Sequence, residues 1–302
     1  MKKRTLLTSM LFVAIASMAQ KKDSTQVSLQ EVEIMSTRAT ATTPIAFTNI
    51  GKEKLNKLNT GVDLPYIISS TPSAIATSDA GAGIGYTSLR IRGTDGTRIN
   101  VTANGSPVND SESHNVFWVN MPDLASSIKD IQIQRGVGTS TNGAGAFGAS
   151  INIKTSDFNT MPYAGFSGSF GSFGTHKETL RAGTGIIADH WSLDLRLSDI
   201  GSNGYIERAS TKLNSYYMQG AYYGNNTTVR LISYSGAEET YHAWNYASKE
   251  EMAEHGRRYN SCGYIYTDEN GKAHYYDGQT GNYIQHNIQL LADHHFNEAI
   301  SL

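Results

Sequence analysis

The chain has 302 residues, with 25 basic and 27 acidic residues, 17% charged residues overall and 29 glycines. This near balance of charge leaves no basic footprint for nucleic acid, and the single cysteine excludes a disulfide framework or a cysteine-based zinc module. There is no run of about 18 apolar residues, which excludes a helical membrane protein but not a barrel of membrane-spanning strands.

The N-terminal residues have the pattern of a secretory signal. Positive charges at 2–4 precede an apolar stretch at 6–16, and the small residues within 17–19 complete a cleavage site. The apolar stretch is too short to span a bilayer. We therefore expect residues 1–19 to be a signal peptide and the mature chain, beginning near Gln20, to leave the cytoplasm.

The next segment, residues 20–41, is polar except for one alternating patch at 29–34 (LQEVEI). Alternation with a period of two residues predicts a strand, but no turn or partner strand follows at hairpin distance. Such a patch belongs either to a disordered leader or to an edge offered to another protein by strand addition. The residues alone leave both interpretations open.

The sequence pattern of residues 44–156 is typical of a small mixed α+β domain. The pattern predicts two short helices at 51–58 and 62–69, and Asn104-Gly105 is a strong signal for a tight turn. The predicted strands are 45–50, 88–92, 98–103, 128–135 and 151–155.

After residue 157 the sequence pattern changes and predicts strands rich in tyrosine and glycine, without a helical period. The clearest strand, 190–198, places leucines on one face and Asp194 and Arg196 on the other, where both charged groups need water or a polar partner. The other predicted strands are 163–173, 177–188, 212–223, 227–235 and 283–296.

The connections between these strands mostly alternate between two or three residues and long polar loops, such as 201–211 and 236–282. Short turns at one rim and long loops at the other are typical of an outer-membrane barrel. Six strands cannot close a barrel, and residues 300–302 begin a seventh. The sequence therefore predicts either a chain that stops early in its barrel or strands that belong to a different β structure.

Three stretches resemble the TonB-dependent outer-membrane receptors. Residues 29–39 (LQEVEIMSTRA) resemble the energy-coupling TonB box and leader, and 89–109 (LRIRGTDGTRINVTANGSPVN) resemble the Ile-Arg-Gly segment and hairpin of the plug. Residues 128–155 (IKDIQIQRGVGTSTNGAGAFGASINIKT) are similar to the long plug motif that ends in Asn-Ile.

The resemblance implies an α+β plug domain followed by the start of an antiparallel transmembrane β-barrel. The complete family fold has about 22 strands, of which six or seven are expected here. The implied divisions are a signal peptide at 1–19, a leader with the TonB box at 20–41, the plug at 42–157 and the first part of the barrel at 158–302.

The implied function is TonB-dependent import across the outer membrane of a Gram-negative bacterium, with the plug gating the barrel. The expected partners are an inner-membrane energy-coupling protein of the TonB type, outer-membrane lipid and a small-molecule chelate. Iron-siderophores or other iron chelates are the commonest substrates of the family, and haem, cobalamin and glycans are alternatives. A β-rich adhesin without transport would explain the signal and the loops, but not the plug-like run at 136–155.

The resemblance also suggests three groups of site residues. The TonB box comprises Leu29, Glu31, Val32, Glu33 and Ile34. Three plug arginines are either solvated charges or partners of acidic residues on the barrel wall, namely Arg90, Arg92 and Arg135. Aromatic and imidazole side chains suit stacking on a chelate, although they are also normal in extracellular loops: His114, Trp118, Tyr241, His242 and Trp244.

No pattern supports an enzyme. Gly143–Gly148 is formally G-x-G-x-x-G, but it leads into a strand and so lacks the helix that would hold a pyrophosphate. Neither a G-x-S-x-G elbow in a strand-to-helix setting nor an H-E-x-x-H helix occurs. His294 and His295 point to opposite strand faces, so a shared metal is not expected. We predict no catalytic residue, metal site or cofactor.

Overall fold

The computed structural model describes residues 38–137, 147–155, 159–297 and 300–301. The predicted signal peptide, the TonB box and most of the leader lie outside the described residues, as does most of the G-x-G-x-x-G stretch. Within the described ranges, no helix combines the length and the apolar character needed to cross a membrane.

The N-terminal unit, residues 38–155, is built around a five-stranded sheet. Its elements are β1 (Ala46–Gly51), α1 (Lys52–Leu58), α2 (Leu64–Ile68), β2 (Ala74–Ser78), β3 (Thr87–Ile91), β4 (Ile99–Ala103), β5 (Ser106–Pro107), β6 (Ile128–Arg135) and β7 (Ala149–Thr155). The strand order is β1-β6-β7-β4-β5, and β2 and β3 form a separate hairpin. Strand β7 runs antiparallel to β6 and parallel to β4. Strand β6 is thus paired on both sides, whereas β1 is an edge strand.

The core of this unit follows the ordinary rule that apolar side chains lie inside. Ile131 and Ile133 of β6 and Ile151 of β7 are fully buried, and Leu55 of α1 packs into the same cluster. Helix α1 carries Glu53 in its first turn and Lys57 in its last, joined by an ion pair of 2.7 Å. That charge order suits the helix dipole and leaves the apolar face for the sheet.

A large sheet follows. Its strands are β8 (Tyr163–Phe170), β9 (His176–Gly183), β10 (Trp191–Ser202), β11 (Thr211–Tyr223), β12 (Thr227–Tyr241), β15 (Thr280–Asn297) and β16 (Ile300–Ser301). All neighbours pair antiparallel in chain order, and the sheet does not close among the described residues. The long connection between β12 and β15 holds α3 (Lys249–His255), β13 (Tyr264–Thr267) and β14 (Ala273–Tyr275).

Strand β10 has its polar face buried and its apolar face exposed. Leu193, Leu195 and Leu197 are 48%, 39% and 45% exposed, whereas Asp194 and Arg196 are only 8% and 3% exposed. The buried face is covered by the N-terminal unit. This arrangement inverts the usual pattern of a water-soluble sheet.

The structure confirms the predicted order of elements. Both predicted helices are present and end within two residues of their predicted limits. Strand β2 was missed, and β10 and β12 extend four and six residues beyond their predicted ends. The extensions contain Gly201 and Gly236, which interrupt the sequence pattern but are held in the ladder by the neighbouring strands.

Candidate functional site

The N-terminal unit is fixed to the large sheet through Asp123. Its carboxylate lies 2.6 Å from the Lys177 ammonium and 3.2 Å from the Arg196 guanidinium, with all three side chains at most 5% exposed. The hydroxyls of Thr179 and Ser198 also donate to Asp123, at 2.8 and 2.6 Å. One carboxylate of the N-terminal unit therefore joins four side chains of β9 and β10.

The electrostatics of this cluster favour the ionised carboxylate. Burial alone would raise the pKa of Asp123, but the nearby Arg196 and Lys177 outweigh it and hold the pKa well below its usual range. Arg196 also donates to the Asp123 backbone carbonyl at 2.8 Å. Charges that are paired and hydrogen-bonded in this way can remain buried.

The segment around Asp123 is shaped for this contact. Asp123 has a left-handed backbone, with φ of 51°, and precedes a 3-10 turn at Leu124–Ser127. Ser126 and Asn59 donate to its Oδ1 at 2.6 and 2.9 Å, which fixes the carboxylate from within the N-terminal unit.

A close contact between strand β12 and the N-terminal unit belongs to the same interface. Gly236 of β12 lies directly against the Asn120 carbonyl and the Pro122 ring, where a side chain would overlap both. The Asn120 and Asn104 amides donate to Gln285 and Gln289 of β15, at 3.1 and 2.9 Å. The interface thus extends across β9, β10, β12 and β15.

A second cluster lies where the Gly81–Tyr86 segment meets the end of β12. The Tyr86 hydroxyl donates to Glu238 at 3.0 Å. The His242 ring stacks on Trp244 with centroids 3.8 Å apart, and Tyr86 meets Trp244 edge-on at 6.0 Å. We call Tyr86, Glu238, His242 and Trp244 the aromatic cluster. Trp244 is 46% exposed, so the cluster offers an aromatic surface beside a buried carboxylate.

Asp63 is a buried carboxyl of the N-terminal unit near Glu238 of the aromatic cluster, and its electrostatic surroundings differ from those of Asp123. The pKa of Asp63 is raised to about 8, chiefly by burial and slightly by nearby Glu238, against the opposing effects of hydrogen bonds from Thr87 and the Gly85 backbone. Among the described residues no cation compensates for its burial in the way that Lys177 and Arg196 do for Asp123, so burial favours the protonated form of this carboxyl.

Comparison with known proteins decides the nature of the N-terminal unit. Residues 39–150 match the model of the TonB-dependent receptor plug domain. These residues form a TonB-dependent receptor plug. The resemblance stated from the sequence motifs is thereby confirmed, and we call the N-terminal unit the plug from here on. No curated protein matches the chain significantly.

Solved structures show the fold of the chain beyond the plug. The pyoverdine-bound receptor FpvA of P. aeruginosa matches with a TM-score of 0.64 and 12% identity, over 85% of this chain and 32% of that one. The ferric-catecholate import receptor Fiu of E. coli K12 matches with 0.62 and 12%, over 84% and 36%. The siderophore receptor PirA of Acinetobacter baumannii matches with 0.51 and 19%, over 65% and 32%. The chain spans about a third of these receptors, and the predicted α+β plug with antiparallel barrel-type strands is confirmed.

The three predicted plug arginines lie away from the Asp123 cluster. Arg90 and Arg92 are exposed, and Arg135 donates to Thr48 of β1 at 2.5 Å, inside the plug. In the part of the chain that the structure describes, no ion pair joins any of them to the large sheet. Their contact with a barrel wall stays a prediction.

The predicted substrate residues separate into three groups. His242 and Trp244 are brought together in the aromatic cluster. Trp118 is 6% exposed in the plug core, and Tyr241 is 5% exposed with its hydroxyl donating to the Tyr276 carbonyl at 2.8 Å, so both side chains have packing roles here. His114 is exposed on a plug loop, with a left-handed backbone of φ 58°.

Sequence reasoning did not identify Asp123, Lys177 or Glu238. One signal was present, because Arg196 on the polar face of its strand required a polar partner, which the structure supplies as Asp123. The neighbouring Asp194 likewise accepts a hydrogen bond from Tyr163 at 2.8 Å. Nothing in the short segment Met121–Asp123 indicates that it would be that partner.

Proposed function

We propose that the protein acts in TonB-dependent import of a scarce nutrient across the outer membrane, with the plug closing the barrel at rest. The observation that carries this proposal is the inverted sheet: its polar face is covered by a plug and its apolar face is exposed. A lipid-facing wall has this arrangement, because hydrocarbon accepts the leucines while the plug and lumen accept the charges.

We propose an iron-siderophore or another iron chelate as the substrate. Support comes from the similar solved structures, which are a siderophore receptor, a pyoverdine-bound receptor and a ferric-catecholate import receptor. The aromatic cluster fits a role in binding, since an exposed indole backed by an imidazole can stack on the planar groups of a chelate.

The substrate is tested in a strain lacking the gene, complemented with the complete protein. Uptake of radioiron from a panel of ferric siderophores and haem, alongside uptake of cobalamin and glycans, identifies the substrate. We expect uptake from one class of iron chelate. Uptake of cobalamin or a glycan alone would contradict the iron assignment, and recovery of the protein from the medium would favour the adhesin alternative.

The coupling role is tested at the TonB box. Val32→Pro removes a backbone donor and disfavours strand pairing, so we expect uptake to be lost while chelate binding is retained. Val32→Thr keeps the donor and the strand preference, and serves as the matched control. Normal uptake by the Val32→Pro strain would contradict coupling through this segment.

The role of the aromatic cluster is tested by Trp244→Ala. Loss of one stacking face costs about 0.5–1.5 kcal/mol, so we expect chelate affinity to fall by roughly three- to tenfold. Tyr266→Ala, which removes an exposed aromatic of β13 outside the cluster, is the control. Equal affinity of the two variants would exclude Trp244 from the binding surface.

A further inference from the structure

The first described residues of the chain are held by the side chain of a buried glutamine. The Gln132 Oε1 accepts from the Ala39 backbone N–H at 2.6 Å, and the Gln132 Nε2 donates to the Ala39 carbonyl at 3.0 Å. Gln132 is 3% exposed and Ala39 is 7% exposed. The amide thus satisfies both backbone groups of one residue, as a neighbouring strand would.

The preceding residue adds a charged contact at the same place. The Arg38 guanidinium forms an ion pair with Asp130 and donates to the Asn152 carbonyl at 3.2 Å. We call Arg38, Ala39, Asp130 and Gln132 the leader clip. Because Asp130 and Gln132 belong to β6 and Asn152 to β7, the leader clip attaches the chain to paired strands inside the sheet.

The residues that follow the leader clip are held more weakly. Thr40, Thr42 and Thr43 are mostly exposed and bond mainly to one another before β1 begins at Ala46. Strand β1 is an edge strand of the described sheet, in which it pairs with β6. A load applied from the N-terminal side therefore meets the leader clip first and β1 second.

We infer that the leader clip is the first element to open when the leader is pulled, and that Arg38 and Gln132 are positioning residues for energy coupling. This inference rests on the proposed function, since the predicted TonB box ends at Ile34, four positions before Arg38. Four residues reach at most about 14 Å, so little slack separates the box from the leader clip.

Opening of the leader clip has a measurable length. It frees residues 38–45, whose extended length is about 25 Å at roughly 3.3 Å for each of eight residues. The gain in length is this value less the distance that the segment already spans between Gln132 and Arg135 in the folded plug. The load then passes to the Ala46 end of β1, where Ala46 pairs with Arg135. The clip thus sets an order, with release of the leader preceding any separation of β1 from β6.

The experiment is force spectroscopy on the complete protein in a lipid bilayer, pulled from a thiol introduced in the leader by Ser28→Cys. We expect a first low-force step of at most about 25 Å, followed by longer steps. Gln132→Leu removes both bonds to Ala39 and should abolish the first step. It also removes the Gln132 bonds to Asn49 of β1 and to Gln134, so the later release of β1 should remain but occur at a lower force. Thr102→Val, which removes another buried hydrogen bond of the same sheet, is the matched control and should retain the step.

Three further variants distinguish loss of the leader clip from a general folding defect. Ala39→Pro deletes the backbone donor while keeping the Gln132 side chain and its bonds to Asn49 and Gln134, and should also abolish the first step. Arg38→Glu should lower the force of that step, and the added change Asp130→Arg should restore it by reversing the ion pair. An unchanged first step in both Gln132→Leu and Ala39→Pro would overturn the inference. Because these measurements need no substrate, their failure is distinguishable from failure of the import proposal.

Discussion

The plug and the large sheet use the same alternation of apolar and polar residues for opposite purposes. In β6 of the plug, Ile131 and Ile133 are fully buried in a conventional core. In β10, Leu193 and Leu195 are exposed while Arg196 is buried against the plug. An alternation with a period of two residues therefore shows that a strand has two different faces. Which face is buried depends on what packs against it: a protein core, a plug or lipid.

The largest expected effect comes from removing the carboxylate at the boundary between the two regions. Asp123→Ala leaves the Lys177 and Arg196 cations buried without their carboxylate partner, which costs about 3–5 kcal/mol. We expect the plug to leave the sheet at a lower urea concentration, measured by protease cleavage of the plug. Glu112→Ala, on an exposed plug loop, is the control. Equal urea midpoints for the two variants would exclude Asp123 as an anchor.

The same contact predicts the response to acid. The pKa of Asp123 is lowered in the folded protein, so its contribution is complete above the ordinary aspartate value near 3.8 and is lost as pH falls through the lower folded value. We expect this contribution to stay constant from pH 7 to about pH 5. The measurement is the difference in urea midpoint between wild type and Asp123→Ala across that range. A difference that shrinks well above pH 5 would contradict a carboxylate stabilised by two cations.

A charged substitution on the exposed face of β10 tests whether that face meets lipid or water. Leu195→Arg costs about 2–4 kcal/mol near the middle of a bilayer, so we expect less protein assembled in the outer membrane. Ile75→Arg, at a plug position that is 62% exposed, should be tolerated within about 0.5 kcal/mol. The yield of heat-modifiable, membrane-extracted protein measures both. Equal yields would indicate that the leucine face meets water.

A smaller effect is expected where the plug touches the sheet backbone. Gly236→Ala forces a methyl group against the Asn120 carbonyl and the Pro122 ring, at a cost of about 1–3 kcal/mol. In Gly220→Ala the methyl group enters open space on the neighbouring strand, so this variant is the matched control. Thermal release of the plug should shift only for Gly236→Ala. A shift of the same size in both would point to a general effect on strand pairing.

A further effect, on the pH dependence of stability, concerns the buried plug carboxyl Asp63. The folded pKa of Asp63 is about 8, far above its ordinary value of 3.8, so the folded state binds more protons and stability falls as pH rises between those values. Asp63→Asn keeps an acceptor for Thr87 and removes the ionisation. We expect wild type to lose melting temperature between pH 6 and pH 9 and the variant to lose less. An identical loss would show that Asp63 does not cause it.

Much of the fold was predictable because local signals agreed with the final packing. The Asn104-Gly105 turn and the alternation in β10 each specify a local geometry that the tertiary structure retains. Strand β2 was missed because its five residues, Ala74–Ser78, carry a mixed pattern and depend on pairing with β3. The extension of β12 was missed for the same reason, since pairing with β11 and β15 carries the strand through Gly236.

The candidate site was less predictable because its contacts are long-range. Asp123 meets Lys177 and Arg196 across more than fifty residues of sequence, and no local pattern records that distance. His242 and Trp244 were found by residue type, whereas their partner Tyr86 and the carboxylate of Glu238 were not. The local signal for this interface was a charged residue, Arg196, on a strand face where it required a polar partner.

The central claim is that the leucine face of β10 meets lipid while its polar face meets the plug. The most direct measurement is electron paramagnetic resonance with single spin labels at 192, 193, 195 and 197 of the complete protein in its membrane. The account predicts strong relaxation by oxygen and weak relaxation by a water-soluble nickel complex at 193, 195 and 197, with little of either at Ser192. Strong relaxation by the nickel complex at the three leucine positions, equal to that at exposed Ile75, would contradict it.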